Sequence, residues 1–294
     1  MGANNLISAA TESILPKADR SIGNILVEAG RLTLESAARI VRLQREKNLR
    51  FGDAAIQLGL LTHADIEFAL SRQFNHTYLL RGESKVSEDL VAAYAPFSHQ
   101  SEALRALRSQ LMTRWFDGNP AHKALAIVSA ERKDGRSFLA ANLAVVFSQL
   151  GAHTLLIDAD LRNSCQHTLF GLDNRAGLSA VLSERAGPDA IQRIPGLLDL
   201  SVLPAGAQPP NPHELLARAP FWKVLREVEK KFDVVLLDSP AAAHYADAQT
   251  VAVRAGAAMI VARKNTARRW QVCGVSDTVS QASTTIVGAV LNEF

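Results

Sequence analysis

The sequence predicts a parallel α/β sheet flanked by helices, preceded by a small, mainly helical domain. Three observations carry this. From residue 122 onward, apolar strand-like runs alternate with helical patterns, the order a parallel sheet requires. Several of those runs stop at an aspartate or at a polar loop that opens a helix. Ahead of them, residues 21–73 contain an internal repeat at a spacing of 29 positions, which marks a separate structural unit.

Composition bounds the function classes. The chain has 294 residues, enough for one large domain and one small one. Its formal net charge is +3 with both signs dispersed, so no basic tail argues for nucleic acid. Two cysteines, Cys165 and Cys273, are too few for a disulfide framework and fit a reducing compartment. No apolar run approaches the ~18–20 residues needed to span a bilayer, and Ile14-Leu15-Pro16 is too short for a signal-peptide core. The expectation is a cytosolic protein that meets a membrane only through a partner.

Residues 1–18 lack periodicity and are expected to form a mobile arm. Residues 19–80 then form the small domain. Ser21–Leu32 realigns with Arg50–Leu61, so that Gly23 matches Gly52, Gly30 matches Gly59 and Gln44 matches Gln73. Each copy reads as a short helix stopped by Gly30 or Gly59, an N-cap Thr33 or Thr62, and a longer helix. Asp65, three residues after Thr62, makes the second cap close to a capping box.

These two copies, joined by Arg45–Leu49, resemble the MshEN type of domain found at the N-terminus of type II secretion and pilus ATPases. That resemblance implies binding of cyclic di-GMP. Gly23, Gly30, Gly52 and Gly59 would admit guanines and phosphates, Ile22, Leu26, Phe51 and Leu60 would pack on bases, and Arg50 would meet a phosphate, with Gln44 and Gln73 ending the motifs. The first copy departs from the pattern with Ser21 for Arg and Ala37 for Leu, the second with Ala55 for Leu. The same glycines and leucines would equally serve helix turns and a core.

Residues 81–96, charged at their start, read as a linker. Ser101–Trp115 follows as an amphipathic helix with Leu104, Leu107 and Leu111 on one stripe and Glu102, Arg105 and Arg108 at steps of three beside it. Without context that charged row is a solvated face.

The α/β domain, 97–294, opens its sheet with the strand Ala124–Val128. A polar loop turns at Gly135 into a helix over Phe138–Leu150. The pattern A-x-x-x-x-G-R-S over Ala130–Ser137 outlines a phosphate-binding P-loop with Arg136 where Lys is usual. Unpaired N–H groups and the positive end of the dipole at that helix start suit a polyphosphate, and the Ser137 hydroxyl is placed to ligate magnesium. The next strand, His153–Ile157, runs into Asp158-Ala159-Asp160. Carboxylates at the carboxyl end of a buried strand face the ligand crevice; of these two, one faces a metal and the other an attacking nucleophile. Phe232–Leu237 followed by Asp238 has the Walker B form. Further strands are expected at Ala257–Ala262 and Thr285–Leu291. Asn292 at the end of the last could read an adenine edge, and Arg263 could lie on a base or phosphate.

Taken together, the segment from about Phe97 resembles the catalytic domain of bacterial tyrosine kinases (BY-kinases) of polysaccharide export, in particular the EpsG type of chain-length-determinant tyrosine kinase. The carrying residues are Glu102–Arg108, Asp134–Ser137, Ala140–Ala144, Leu155–Arg162, His167–Asn174, Gly177–Ser179, Leu203–Gly206, Pro209–Pro212, Glu214–Leu216 and Asp238–Pro240. The resemblance implies the MinD/ParA branch of P-loop folds and a ring-like homo-oligomer through Glu102, Arg105 and Arg108. It also implies an inner-membrane polysaccharide chain-length determinant as partner, which would make the protein peripheral to that membrane.

The implied mechanism holds Mg-ATP on Lys133, Asp134, Gly135, Arg136, Ser137 and Phe138. Ser137, Asp158, Asp160 and Asp238 surround the metal, and Asp158 orients or deprotonates the incoming tyrosine hydroxyl or a water. Two departures matter. Arg136 is a planar fork in place of a point charge, which leaves an ATPase switch, or a catalytically weak nucleotide-binding scaffold and cyclic di-GMP receptor, as alternatives. The family's C-terminal tyrosine cluster has no counterpart among the three tyrosines here, Tyr78, Tyr94 and Tyr245, so transferred phosphate is expected on another tyrosine or another protein.

Overall fold

A computed structural model describes residues 21–73 and 78–293; the arm expected at 1–18 lies outside them. The chain divides into two compact units, residues 1–77 and 78–294.

In the first unit the helices are α1 (Ile22–Glu28), α2 (Leu34–Lys47), α3 (Phe51–Gln57) and α4 (His63–Gln73). Helix α1 packs on α4 and α2 on α3, so the short helix of each copy packs on the long helix of the other. The core reflects the repeat: Leu26 and Ala55, Leu32 and Leu61, Ile40 and Ala69 are all buried and each pair is related by the 29-residue spacing. Gly30 (φ +68°) and Gly59 (φ +65°) adopt the left-handed conformation just past their helices, where a side chain would be strained. Thr33 Oγ1 accepts from Ser36 N at 3.2 Å. Thr62 and Asp65 cap reciprocally, Asp65 N donating to Thr62 Oγ1 at 3.2 Å and Thr62 N to Asp65 Oδ2 at 2.9 Å. Arg31 bonds Asp65 at 2.9 Å and lies over the Phe68 ring. Of the residues expected to meet a ligand, Leu26 is buried, while a Cβ on Gly23 would touch the Phe51 ring and one on Gly52 would touch Ile66. Those positions are thus already engaged in packing. Arg50 is exposed as the N-cap of α3.

The second unit runs α5 (Val91–Tyr94), α6 (His99–Arg114), β1 (Ala124–Ser129), α7 (Arg136–Ser148), β2 (Thr154–Asp158), α8 (Gln166–Phe170) and α9 (Leu178–Leu182). It continues with β3 (Gln192–Arg193), β4 (Leu200–Leu203), α10 (Pro212–Ala217), α11 (Ala219–Glu229), β5 (Val234–Asp238), α12 (Asp247–Ala255), β6 (Ala257–Arg263), α13 (Arg269–Gln281) and β7 (Thr285–Asn292). The seven-stranded sheet has the order β3-β4-β2-β5-β1-β6-β7, parallel except for β3. Its middle strands are apolar along their interiors and buried at every position, because both faces are covered. Leu125 and Ile127 of β1 and Leu236 of β5 join the core with α6 and α7, whereas Ala126, Val128, Val235 and Leu237 join the opposite core with α11 to α13, the period of two expected of a strand.

The segment 81–96, expected as a linker, is part of this unit. Val86, Leu90, Ala92, Ala93 and Tyr94 are buried in the core beside α7. Ala92 N donates to Asn142 Oδ1 at 3.0 Å, and Gln149 Nε2 donates to the Ala92 carbonyl at 2.8 Å. The surface charges Arg81 and Glu88 pair with each other at 3.2 Å, and they masked the apolar residues between and after them. The following helix starts at His99, capped by Ser98, with Leu104 and Leu111 buried as the stripe requires. Its Arg105 bonds Glu102 at 2.9 Å and the Pro96 carbonyl, and Arg108 donates to the Val146 carbonyl at 2.6 Å.

Candidate active site

The loop between β1 and α7 is built by two left-handed residues, Lys133 (φ +67°) and Gly135 (φ +89°), which turn the backbone so that α7 begins at Arg136. Inside the turn, Glu131 N donates to the Asp134 carboxylate at 3.0 Å; burial raises the Asp134 pKa against that bond. Gly135 provides no side-chain cap for α7, so the first N–H groups of the helix are offered to whatever lies in front of it. Glu131 faces outward, accepting from Gln271 Nε2 at 2.6 Å and lying 3.1 Å from His244 Nε2.

Register brings the carboxylates together. Asp158 of β2 stands directly opposite Asp238 of β5, and Ile127 of β1 stands opposite Asp238 on the other side. Paired residues on parallel strands point to the same face, so two strand-end aspartates become neighbours. Asp160 folds back over them, its N–H donating to Asp158 Oδ1 at 3.2 Å. Asp158 Oδ2 accepts from Cys165 N and Gln166 N at 3.1 and 3.0 Å.

Arg136 occupies the middle of this cluster. It is 7% exposed, and its guanidinium donates from Nε to Asp238 at 3.2 Å, from one Nη to Ser129 Oγ at 2.7 Å and from the other to Asp160 at 3.4 Å. A planar fork with five donors reaches three acceptors spread around its edge, where a lysine would present a compact point charge. Even so, Asp238 has a raised pKa: burial outweighs the Arg136 charge and the hydrogen bonds from Gln166 and Ser137. Asp158 is pushed well above the usual carboxylate range by burial and by the charges of Asp238 and Asp160. The adjacent Cys165 thiol is pushed up to about 12, first by burial and then by the Asp238 charge.

Three contributors were not anticipated from sequence. Gln166, fully buried, donates through Nε2 to Asp238 at 2.8 Å and to the Ser137 carbonyl at 3.1 Å, so it links α7 to β5; its Oε1 has no partner. Ser129 receives Arg136 as described. Arg162, just beyond Asp160, is held by the buried Asp247 at 2.7 Å. Gln166 and Arg162 act on groups 72 and 85 positions along the chain, which no local pattern reveals. The two low-specificity expectations do reach the loop. Asn292 Nδ2 donates to the Asp134 carbonyl at 3.2 Å, and the Arg263 charge acts on Asp134.

A phosphate-and-magnesium site asks for hard oxygen donors near a helix N-terminus. The donor set of Ser137, Asp158, Asp160 and Asp238 meets that requirement, and the unpartnered Gln166 Oε1 adds a further oxygen. Among the described residues no three His, Cys, Asp or Glu side chains form a ready-made metal cage. Here the cation among the carboxylates is Arg136 itself. The residues therefore fit a metal carried in with phosphates, once the guanidinium moves off Asp160 and Asp238.

Comparison with known proteins bears on the family and the fold. No protein-family model matches the chain. It is similar to tyrosine-protein kinase YwqD of Bacillus subtilis (strain 168), 32% identical over 209 residues, covering 71% of this chain and 87% of that protein. The kinase domain of Escherichia coli tyrosine kinase ETK superposes with a TM-score of 0.67 at 32% identity, covering 75% of this chain and 85% of that one. The cell division ATPase MinD of Pyrococcus furiosus has a TM-score of 0.52 at 27% identity over 58% of this chain and 71% of its own. The sheet thus has the P-loop ATPase architecture expected from sequence.

Proposed function

The chain belongs to the bacterial tyrosine-protein kinases, and from that premise we propose that it binds Mg-ATP on the loop before α7 and transfers the γ-phosphoryl group to a tyrosine hydroxyl. One observation carries the reading: the register that sets Asp158 against Asp238 directly beside an uncapped helix N-terminus.

The N–H groups from Gly135 to Phe138 receive the β- and γ-phosphates, with Lys133 and Asp134 shaping the turn. Arg136 leaves Asp160 and Asp238 and turns to the phosphate oxygens, where its charge offsets that of the transferring group. Ser137, Asp160 and Asp238, with Asp158, would hold magnesium, which when bound would offset the charge of the phosphates. Asp158 accepts the hydroxyl proton, a role suited to a carboxylate whose pKa burial has raised. Asn292 and Arg263, both of which act on Asp134, would meet the base. The test is transfer of labelled phosphate from ATP to a tyrosine polymer: it should be abolished by Asp158→Asn and by Ser137→Ala. Transfer at an undiminished rate in both variants would refute the assignment.

The tight hold of Arg136 on three acceptors favours one second reading. If the guanidinium does not release, the protein is a nucleotide-responsive scaffold or ATPase switch with little transfer. Phosphate release without phosphotyrosine would select it.

The cellular setting is proposed on the family resemblance: exopolysaccharide chain-length control, with an inner-membrane chain-length determinant as activating partner. Ring-like self-association would use the α6 row, where Glu102 is the exposed member. The repeated motifs of the first unit support cyclic di-GMP as an input. Exposed Arg50 and the open positions at Gly30 and Gly59 are where a phosphate and a base would lie. Calorimetric titration of the full chain with cyclic di-GMP tests it, and no heat at high micromolar ligand would remove it.

A further inference from the structure

Only three tyrosines occur in the sequence, and they differ sharply in access. Tyr94 is 5% exposed and its hydroxyl donates to the Val86 carbonyl at 2.6 Å, inside the core that holds α5. The Tyr78 hydroxyl is buried. Tyr245 is 43% exposed and sits in the loop between β5 and α12, at the carboxyl end of the sheet where Asp158, Asp160 and Asp238 also lie.

That loop is tied to the candidate nucleotide loop. Ala242 N and Ala243 N donate to the carbonyls of Ser129 and Ala130 at 2.9 and 3.0 Å, and His244 reaches Glu131. Tyr245 lines a cavity of about 600 Å³ that also includes Ala130, Glu131 and the exposed Trp270. Its ring lies 3.9 Å from the guanidinium carbon of Arg162, and Arg162 is anchored in turn by Asp247. The phenol is therefore fixed in place, open to solvent, and next to a cation that would attract a phosphate dianion.

We infer that Tyr245 is a phosphoryl acceptor for this chain's own kinase site. The inference rests on the transferase reading given above. The phenolic oxygen forms the new O–P bond to the γ-phosphorus, the bond from that phosphorus to the β–γ bridging oxygen breaks, ADP leaves with the electron pair, and the phenolic proton passes to Asp158. The phosphate then lies beside Arg162, where it competes with Asp247 for the guanidinium.

The experiment uses the full chain with Mg-ATP, alone and with a Glu-Tyr copolymer as external acceptor, read by phosphopeptide mass spectrometry and anti-phosphotyrosine signal. Phosphate should map to Tyr245. Tyr245→Phe, which keeps the ring under Arg162, should lose chain phosphotyrosine to background while still labelling the copolymer. Undiminished phosphotyrosine on the Tyr245→Phe chain, or phosphate mapped to Tyr78 or Tyr94 instead, overturns the inference and leaves the kinase reading intact. Failure to label either chain or copolymer overturns both.

Discussion

Replacing Arg136 by Ala removes the guanidinium bonded to Asp160 and Asp238. The guanidinium is almost fully buried and makes three hydrogen bonds, two of them to carboxylates at 3.2 and 3.4 Å. Truncating one side of such a buried ionic group costs about 3–5 kcal/mol, because uncompensated charge is left behind. The carboxylates can escape part of that cost by taking up protons, so the loss must depend on pH. The pKa values of Asp158 and Asp238 are already raised above 3.8 in the folded state. The stability such groups contribute is complete below 3.8 and is lost as pH rises through the raised values. Without Arg136 those values rise further, so the variant should be most impaired near neutrality and should approach wild type in acid. The assay is denaturant unfolding without nucleotide, followed by fluorescence of Trp115, Trp222 and Trp270, all in the second unit. At about pH 8 the variant should lose roughly 3–5 kcal/mol, and at about pH 5 visibly less. A loss under about 1 kcal/mol at the higher pH, or a loss that does not shrink in acid, would refute the idea that Arg136 neutralises the cluster.

Three further outcomes follow from the same geometry. Asp158→Asn should flatten the dependence of stability on pH above 3.8, because it removes a group that titrates there in opposition to folding; thermal melts across that range would reveal an unchanged slope if this is wrong. Cys165, with its thiol pushed up to about 12, should resist iodoacetamide in the native protein while the exposed Cys273 is modified, since the thiolate is the reactive form. Equal native labelling of the two by mass spectrometry would contradict the half-buried placement of Cys165. Gly177→Ala should lower the melting temperature, because an added Cβ meets the Pro204 carbonyl and the Gly206 amide; such overpacking costs about 1–3 kcal/mol, and an unaltered melting temperature would mean that this backbone yields freely.

What could be read from the sequence, and what could not, divides on physical lines. Strands β1, β2 and β5 are covered on both faces, so they appear as unbroken apolar runs, and the aspartates at the ends of β2 and β5 marked the crevice. The repeat was equally legible, because Gly30 and Gly59 each stop a helix in the left-handed conformation and buried Leu32 recurs as Leu61. Strand β4 escaped because four residues, Leu200–Leu203, carry too little pattern, and β3 because two residues carry none. The segment 81–96 misled because its charges stay on the surface while Val86, Leu90 and Tyr94 turn inward. In the site, the residue types at Asp158, Asp160, Asp238 and Ser137 were recognisable by position. Gln166 was not, since its role depends on Asp238, 72 positions away. Nor does the sequence reveal that Arg136 folds back on the carboxylates; that is decided by the space and charge around it.

The account turns on the loop before α7 taking a triphosphate while Arg136 gives up its carboxylates. A crystal structure of the full chain with magnesium and a non-hydrolysable ATP analogue tests this most directly. Phosphates on the N–H groups from Gly135 to Phe138, a metal beside Ser137 and Asp238, and a guanidinium turned to the γ-phosphate are the predicted result. Nucleotide bound elsewhere, or Arg136 still bonded to both Asp160 and Asp238 with the analogue in place, would contradict it.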